Sequence, residues 1–491
     1  MNFIIYATVL FVFFLQSFIF QWELFMKKSL FKFAMPVLFV LLLWNFPLPG
    51  LEEKAWHLFL IFLGTIAQII LNIFPMGTVA LFSLMILTIT KTIPLSEGLS
   101  GFSDKVVWLV LSAFLVAQGF LKTGLGQRIA YYFIYFFGKT PLGLSYGFVM
   151  ADLVLAPAIP SNTARSGGVI YPILSSLCLN FDSHPHSPSS RKIGSFLMKV
   201  AFQANMITST MFLTAMAANP LGVKIMQEMG IEIDWMKWFM SCFFPGMIAL
   251  MILPLIIYIL YPPELKDTSQ AQEIAKKKIV EMGKMKRDEM IMSFVFFLLV
   301  TLWILSPTLE IHPCVTAFLG ISVLLFTKVL DWKDISNNAL AWDTFVWFGI
   351  LVMLAGSLSH HGIIDYLAMN FQEFLGDLPW VYAYILLSLF YFYIHYLFAS
   401  CTSHLSALFA GVLAIGKFFN VPLFLMGMTL SVFSNLFGCL THYAATPASF
   451  FYGAGYIDIK SWWKIGFIVS IFHITFWMTV GSSWWKFLGY W

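Results

Sequence analysis

One pattern repeats along nearly the whole chain: an apolar run of about 20 residues, then a short polar break. A helix of that length crosses a hydrocarbon layer of about 30 Å, where every backbone amide must find its partner within the protein. Charged residues make up only 11% of the 491 residues. A water-soluble domain carries about 25%, so this sequence cannot clothe itself against water. Alternating-strand patterns are weak, which argues against a β-barrel. The chain reads as an all-α polytopic membrane protein, with the lipid bilayer as its solvent. Its net charge of +4 comes from basic residues gathered in a few loops, a sign of membrane topology rather than of nucleic-acid binding. Cys178, Cys242, Cys314, Cys401 and Cys439 are scattered in or beside apolar segments. They read as small hydrophobes, not as a disulfide or metal framework.

Residues 1–30 hold an extra apolar segment, which is either an additional span or a start-site artefact ahead of Met26-Lys27-Lys28. The first repeat, with its scaffold helices, is expected over 31–262. The hydrophilic run 263–289 carries Lys266, Lys276, Lys277, Lys278, Lys284, Lys286 and Arg287, and so belongs to the cytoplasmic side as a solvated loop. The second repeat is expected over 290–491. Sidedness alternates correctly only if 141–178 and 380–416 each enter and leave on one side, which makes both re-entrant hairpins. Each is followed by a helix broken at small residues and proline: about 196–230 at "TAMAANPLG", and about 421–456 at "HYAATPASF". "VVWLVLSAFLVAQGFLKTGL" (106–125) also resembles "FVWFGILVMLAGSLSHHGII" (345–364). Span, hairpin and broken span thus occur twice with opposite sidedness, the inverted-topology repeat of a transporter.

The segment "PAIPSNTARSGGVIYP" (157–172) places polar residues where lipid should be. Non-helical backbone at membrane depth survives only beside protein or water. A hairpin tip presents the free N–H groups of a half-helix, which attract carboxylates. Ser161, Asn162 and Thr163 add groups able to bind a carboxylate or a small cation, and Gly167 and Gly168 let backbone approach closely. Asn219-Pro220 and Thr446-Pro447 mark the two helix breaks, and Thr402-Ser403-His404-Leu405 is the second tip. A kinked helix satisfying its own backbone would explain one such motif, but not a matched pair. Arg165 carries an insertion cost of at least ~2.5–3.5 kcal/mol. It reads either as a fork for a carboxylate ligand or as the structural partner of Asp152. His404 reads either as a donor or titrating group, or as packing. His442 reads as packing, His184 and His186 as a solvated loop, and His360-His361 as interfacial. No histidine has metal-ligand spacing, and no nucleophile–base set or phosphate loop occurs, so no enzyme activity, metal or cofactor is expected.

At "PSNTARSGG", "MFLTAMAANP", "SHLSALF", "LTHYAATPA" and "YGAGYI" the chain resembles the divalent anion:sodium symporter superfamily over about residues 35–491. It is most similar to the branch of 2-oxoglutarate/malate translocators and citrate/dicarboxylate exchangers. The resemblance implies a homodimer built through scaffold helices and an elevator motion. It implies transport of C4/C5 dicarboxylates of the 2-oxoglutarate, malate and succinate class. Carried over, Ser161, Asn162, Thr163, Ser403, His404, Thr446 and Pro447 would bind substrate, and Arg165, a departure from the family pattern, would join them. Ser161, Asn162, Ala215, Arg165, His404 and Ala445 would form the cation or charge-balancing positions. Ser403-His404-Leu405 falls at the second SNT motif, which has then lost its Asn and Thr. Fixed charge on Arg165 and a protonated His404 would replace mobile Na+, which favours exchange. Symport with Na+ as coupling ion is the alternative, and an anion channel a remote one. A bacterial-type inner membrane is the default location.

Overall fold

The computed structural model describes residues 29–491 except 72, 364–365, 367–368 and 371–377. The extra segment expected at 1–30 lies, but for its last two residues, outside the described residues. Among the described residues, seven helices are long and apolar enough for a full membrane span.

The first half runs through α1 (Ser29–Leu43), α2 (Glu53–Leu71), α3 (Met76–Ile89), α4 (Lys105–Thr123) and the aromatic-rich α5 (Leu125–Phe137). Hairpin 1 follows. It goes in as α6 (Pro141–Leu155), turns, and returns through Asn162–Arg165, a π-turn at Ser166–Ile170 and α7 (Tyr171–Asn180). Broken span 1 is α8 (Gly194–Met211), a non-helical interval with a short 3-10 turn at Leu213–Ala215, and α9 (Ala218–Glu228). The half closes with α10 (Trp235–Leu260).

After α11 (Ser269–Met282), the second half repeats the order. It holds α12 (Arg287–Ile304), α13 (Pro313–Phe326) and α14 (Ala339–His360), then hairpin 2, formed by α15 (Trp380–Tyr393) and α16 (Cys401–Phe418). Broken span 2 is α17 (Leu423–Leu436), a 3-10 turn at Phe437–Cys439, an interval, and α18 (Thr446–Gly453); α19 (Ile459–Phe476) follows.

The breaks follow from the sequence. Phe212 and Met216 adopt extended backbone (φ −126° and −152°), so α8 cannot continue through them. Pro220 falls in the first turn of α9, and Pro447 at the second position of α18. Proline is tolerated there because its missing N–H would be unpaired anyway. Ser161 and Ser400 cap the returning arms: their side chains accept from Ala164 N and Ser403 N.

Two groups of helices emerge. α2, α3, α4, α12, α13 and α14 pack on one another as a framework. The hairpins and broken spans form an inner core, in which α8 crosses α17 and packs on α10. α8 is wrapped on every side, and each of its residues is buried, Lys199, Gln203 and Asn205 included.

The hydrophilic run expected to be a solvated loop contains α11, which lies antiparallel along α5. Thr268 Oγ1 donates to Gly138 O (2.8 Å) and Gln272 Nε2 to Tyr135 O (2.7 Å); at the other end Arg128 Nη1 donates to Gly283 O (2.9 Å). Ala271 and Ala275, four apart, make the flat face that fits α5, while Lys276, Lys277 and Lys278 just beyond them stay exposed. Arg128 is itself buried in a pair with Glu289 (2.6 Å).

The fold also depends on bare glycine backbone where α19 meets break 2. A Cβ on Gly466 would lie 2.5 Å from Cys439 O and 2.6 Å from Leu440 O, both rigid backbone atoms. Gly466→Ala is expected to destabilise the protein by about 1–3 kcal/mol through overpacking and to lower its thermal midpoint in detergent. An unchanged midpoint would show that the contact is looser than described.

Candidate functional site

The two tips are built alike and clamped alike. Ser161 and Ser400 both have extended backbone and both begin a returning arm. Counting from these caps aligns Ser161-Asn162-Thr163 with Ser400-Cys401-Thr402. The second motif therefore lies three residues before Ser403-His404-Leu405. It keeps its serine and threonine and replaces only the asparagine. Ser403, expected at the tip, is the third residue of the returning helix and is buried. "SCTS" offers two serines, and it is Ser400 whose Oγ accepts from the helix amide of Ser403 (3.3 Å).

The same alignment pairs Arg165 with His404, each four residues past its cap. Both are fully buried, and each serves the break of its own half. Arg165 Nη1 donates to Ile159 O and to Ala215 O, both at 2.7 Å. Its Nε donates to Asp152 Oδ1 (3.2 Å) and its Nη2 to Ser209 Oγ (2.9 Å). Asp152 in turn accepts from Asn205 Nδ2 at 3.1 Å and from Thr208 Oγ1. The guanidinium thus joins both arms of hairpin 1 to broken span 1. It is neutralised by Asp152, so the expectation that it presents a free positive fork to the cavity does not hold in this conformation. The other reading of Arg165, a structural pair with Asp152, is the arrangement present.

In the second half the break carbonyl is Ala444 O. His395 Nε2 donates to it at 2.9 Å, and His395 Nδ1 meets His404 Nδ1 at 2.9 Å. Ala444 O can only accept, so a neutral His395 must accept through Nδ1, and His404 Nδ1 is the donor. His404 Nε2 is then a bare lone pair, buried and without a partner among the described residues. Its ring is sandwiched between Phe437 and Phe398, with centroids 4.3 and 4.7 Å away. His395, which sequence reasoning passed over, orients it. A histidine nine residues ahead on the other arm gives no spacing signal of its own.

Further contacts tie tips to breaks and the halves to each other. Thr214 Oγ1 donates to Pro157 O (2.9 Å) in the first half, and Tyr443 OH donates to Tyr396 O (2.8 Å) in the second. Asn219 Nδ2 donates to Ser209 O and Phe212 O, closing break 1 (2.7 and 3.0 Å). Asn219 Oδ1 accepts from Asn435 Nδ2 at 2.7 Å, a direct bond between the two broken spans. Across the halves, α18 packs on the start of the returning arm of hairpin 1, and α9 packs on α16. Broken span 2 therefore touches both hairpins, hairpin 1 through α18 and its own through Ala444 O.

Of the expected site residues, Ser161 and Asn162 are buried, Thr163 is half-buried and Thr446 is exposed. Ala215 and Ala445 are buried in the breaks, and Pro447 is buried beside Thr446. The half-buried Thr402 joins this set. His442 accepts from Trp463 Nε1 (3.2 Å) and packs on Tyr452, away from the tips. His184 and His186 are exposed, while His360 and His361 reach carboxylates at the rim of the framework.

Paired helical hairpins, paired broken helices and polar tips buried in a multi-pass membrane protein define a transporter rather than an enzyme. The chain belongs to the family described as the sodium:sulfate symporter transmembrane region, whose profile matches residues 27–491. YflS of Bacillus subtilis, whose name assigns it provisionally to malate transport, is 47% identical over 453 residues, 92% of this chain and 95% of YflS. The chloroplastic dicarboxylate transporter 1 of Spinacia oleracea is 42% identical over 454 residues, 92% of this chain and 80% of its own length. The citrate/succinate antiporter of Escherichia coli K12 is 34% identical, covering 95% of this chain and 99% of the antiporter. The crystal structure of the YdaH transporter of Alcanivorax borkumensis shares the fold, with a TM-score of 0.52 over 83% of this chain and 89% of that one, at 11% identity.

The Arg165–Asp152 pair generates a test. Asp152→Asn leaves a buried guanidinium uncompensated and is expected to cost about 3–5 kcal/mol. That appears as a large drop in thermal midpoint, whereas Thr163→Val leaves the midpoint nearly unchanged.

Proposed function

We propose that this protein exchanges C4/C5 dicarboxylates across a cytoplasmic membrane, with substrate held between the two tips and breaks. The observation that carries this reading is the occupation of Ile159 O and Ala215 O by the Arg165 guanidinium. The resemblance assigns the carbonyl of Ala215 to cation ligation. A tethered cation already fills that place and cannot dissociate with the substrate, so a sodium gradient has nothing to act on at this tip. The His395–His404 pair holds the matching carbonyl in the second half.

Because Asp152 balances Arg165, the attraction for a dianion comes from elsewhere. The first turns of the two returning arms and of α18 leave amides that the helix does not use, each end equivalent to about +0.5 charge. The hydroxyls of Thr163, Thr402 and Thr446 stand beside these ends and add directional donors. Unloaded, the same amides would have to cross an apolar framework unpaired, at several kcal/mol per group. That cost favours return of the carrier only with another dianion bound, which is exchange. The names of the relatives support the same substrate class, and the citrate/succinate antiporter supports exchange as the mode. The core is read as moving against the framework in an elevator step. The protein is read as a homodimer through framework helices.

Purified protein in liposomes tests this reading. Uptake of labelled 2-oxoglutarate is expected to require an internal dicarboxylate and to be unaffected when potassium replaces sodium on both sides. Uptake into empty vesicles driven by a sodium gradient would overturn exchange in favour of symport. Thr446→Val is expected to raise the malate KM by about tenfold to a hundredfold, matching one charge-assisted hydrogen bond of ~1.5–3 kcal/mol.

A further inference from the structure

Between framework and core lies a mostly apolar seam. Leu109, Val110 and Ala113 of α4 face Pro160, Thr214, Met216, Ala217 and Pro220, with no hole wide enough for water. Its one hydroxyl, on Thr214, donates to Pro157 O within the core and not to the framework. At its edge the chemistry changes abruptly.

Lys224, on α9 of the core, reaches across to the framework. Its Nζ lies 3.0 Å from Asp104 Oδ2 and 2.9 Å from Glu228 Oε1, one turn further along α9. Glu228 Oε2 in turn lies 3.8 Å from His360 Nε2 at the end of α14. The acceptor on the framework is rigidly held. Asp104 caps α4 by accepting from Val106 N at 2.7 Å. The turn before it, Ser100–Ser103, is pressed onto α14 so closely that a Cβ on Gly101 would sit 1.9 Å from Gly349 O. Beside it, Glu97 is held by Ser357 Oγ (2.6 Å) and lies 3.5 Å from His361 Nε2. The donor is coupled to the site just as directly. Lys224 is four residues past Pro220, on the helix that begins at break 1, and Gly222 between them lies against Leu405 and Phe409 of hairpin 2.

We infer that Lys224 is a positioning residue for transport: its ion pair with Asp104 latches the core to the framework in this conformation and breaks in each translocation step. This rests on the reading of the core as the moving part. The side chains are 21% and 16% exposed, so water and salt screen the pair partially. A pair of that kind shifts a two-state equilibrium by up to about fivefold. That is enough to set a rate, yet small enough for the latch to open.

Two measurements test the latch. In exchange assays, Lys224→Gln and Asp104→Asn (which keeps a helix cap) should each change the maximal rate by about threefold or more in the same direction, with KM unmoved. The double variant should do no more than either single one. Additive effects, an effect confined to KM, or no effect would overturn the proposal. Second, the Asp104→Cys/Lys224→Cys protein, joined by a short thiol-reactive bifunctional reagent, should stop exchanging while malate still raises its thermal midpoint. Continued exchange by the joined protein would show that the contact does not open during transport. A failure of dicarboxylate reading is separable, because then wild-type protein would show neither exchange nor a malate-induced midpoint shift.

Discussion

The structure turns on what happens to the carbonyls freed where two helices break inside an apolar medium. Neither break can be left open, since an unpaired backbone group there costs several kcal/mol. Each half solves this with a residue four positions past the cap of its hairpin, brought down onto its own break. In the first half a guanidinium bonds Ala215 O directly and is balanced by Asp152. In the second, His404 acts through His395 on Ala444 O. The inverted repeat is thus preserved in geometry while its chemistry diverges: a salt-bridged clamp faces a pair of stacked imidazoles.

That divergence shapes the electrostatics of the core. Arginine was the obvious candidate for a charge that meets the substrate, yet its donors are committed to Ile159 O, Ala215 O, Asp152 and Ser209. On the exchange reading proposed above, what remains for a substrate is the set of half-helix N-termini and the threonine hydroxyls beside them. Dipoles impose no net charge on an empty core, but they leave donors unpaired, and on that reading unpaired donors resist passage through a dry seam.

The core needs lateral support as well as internal bonds. α11 runs along α5, the element that leads from α4 into hairpin 1, and is tied to it at both ends by Thr268, Gln272 and Arg128. The mostly apolar seam between α4 and break 1 gives way at its edge to charged contacts, Lys224 with Asp104 and Glu228 with His360. A surface with small residues and few polar contacts can slide; a charged rim can stop it at a defined place.

The sequence alone determined the class, the span order, both hairpins and both breaks. These follow from hydropathy, proline and charge sidedness, which act locally and leave a mark within twenty residues. It determined the first tip, because Ser161 is followed by only one plausible helix start. It did not determine the second tip, where two serines compete and only the bond from Ser403 N to Ser400 Oγ decides. Nor did it decide whether Arg165 serves a ligand or Asp152, whether His404 points outward or inward, or that His395, Asn435 and Lys224 have partners in distant segments. Those outcomes depend on which side chains meet after the helices cross, and contacts spanning up to 216 positions leave no periodicity for a sequence to display.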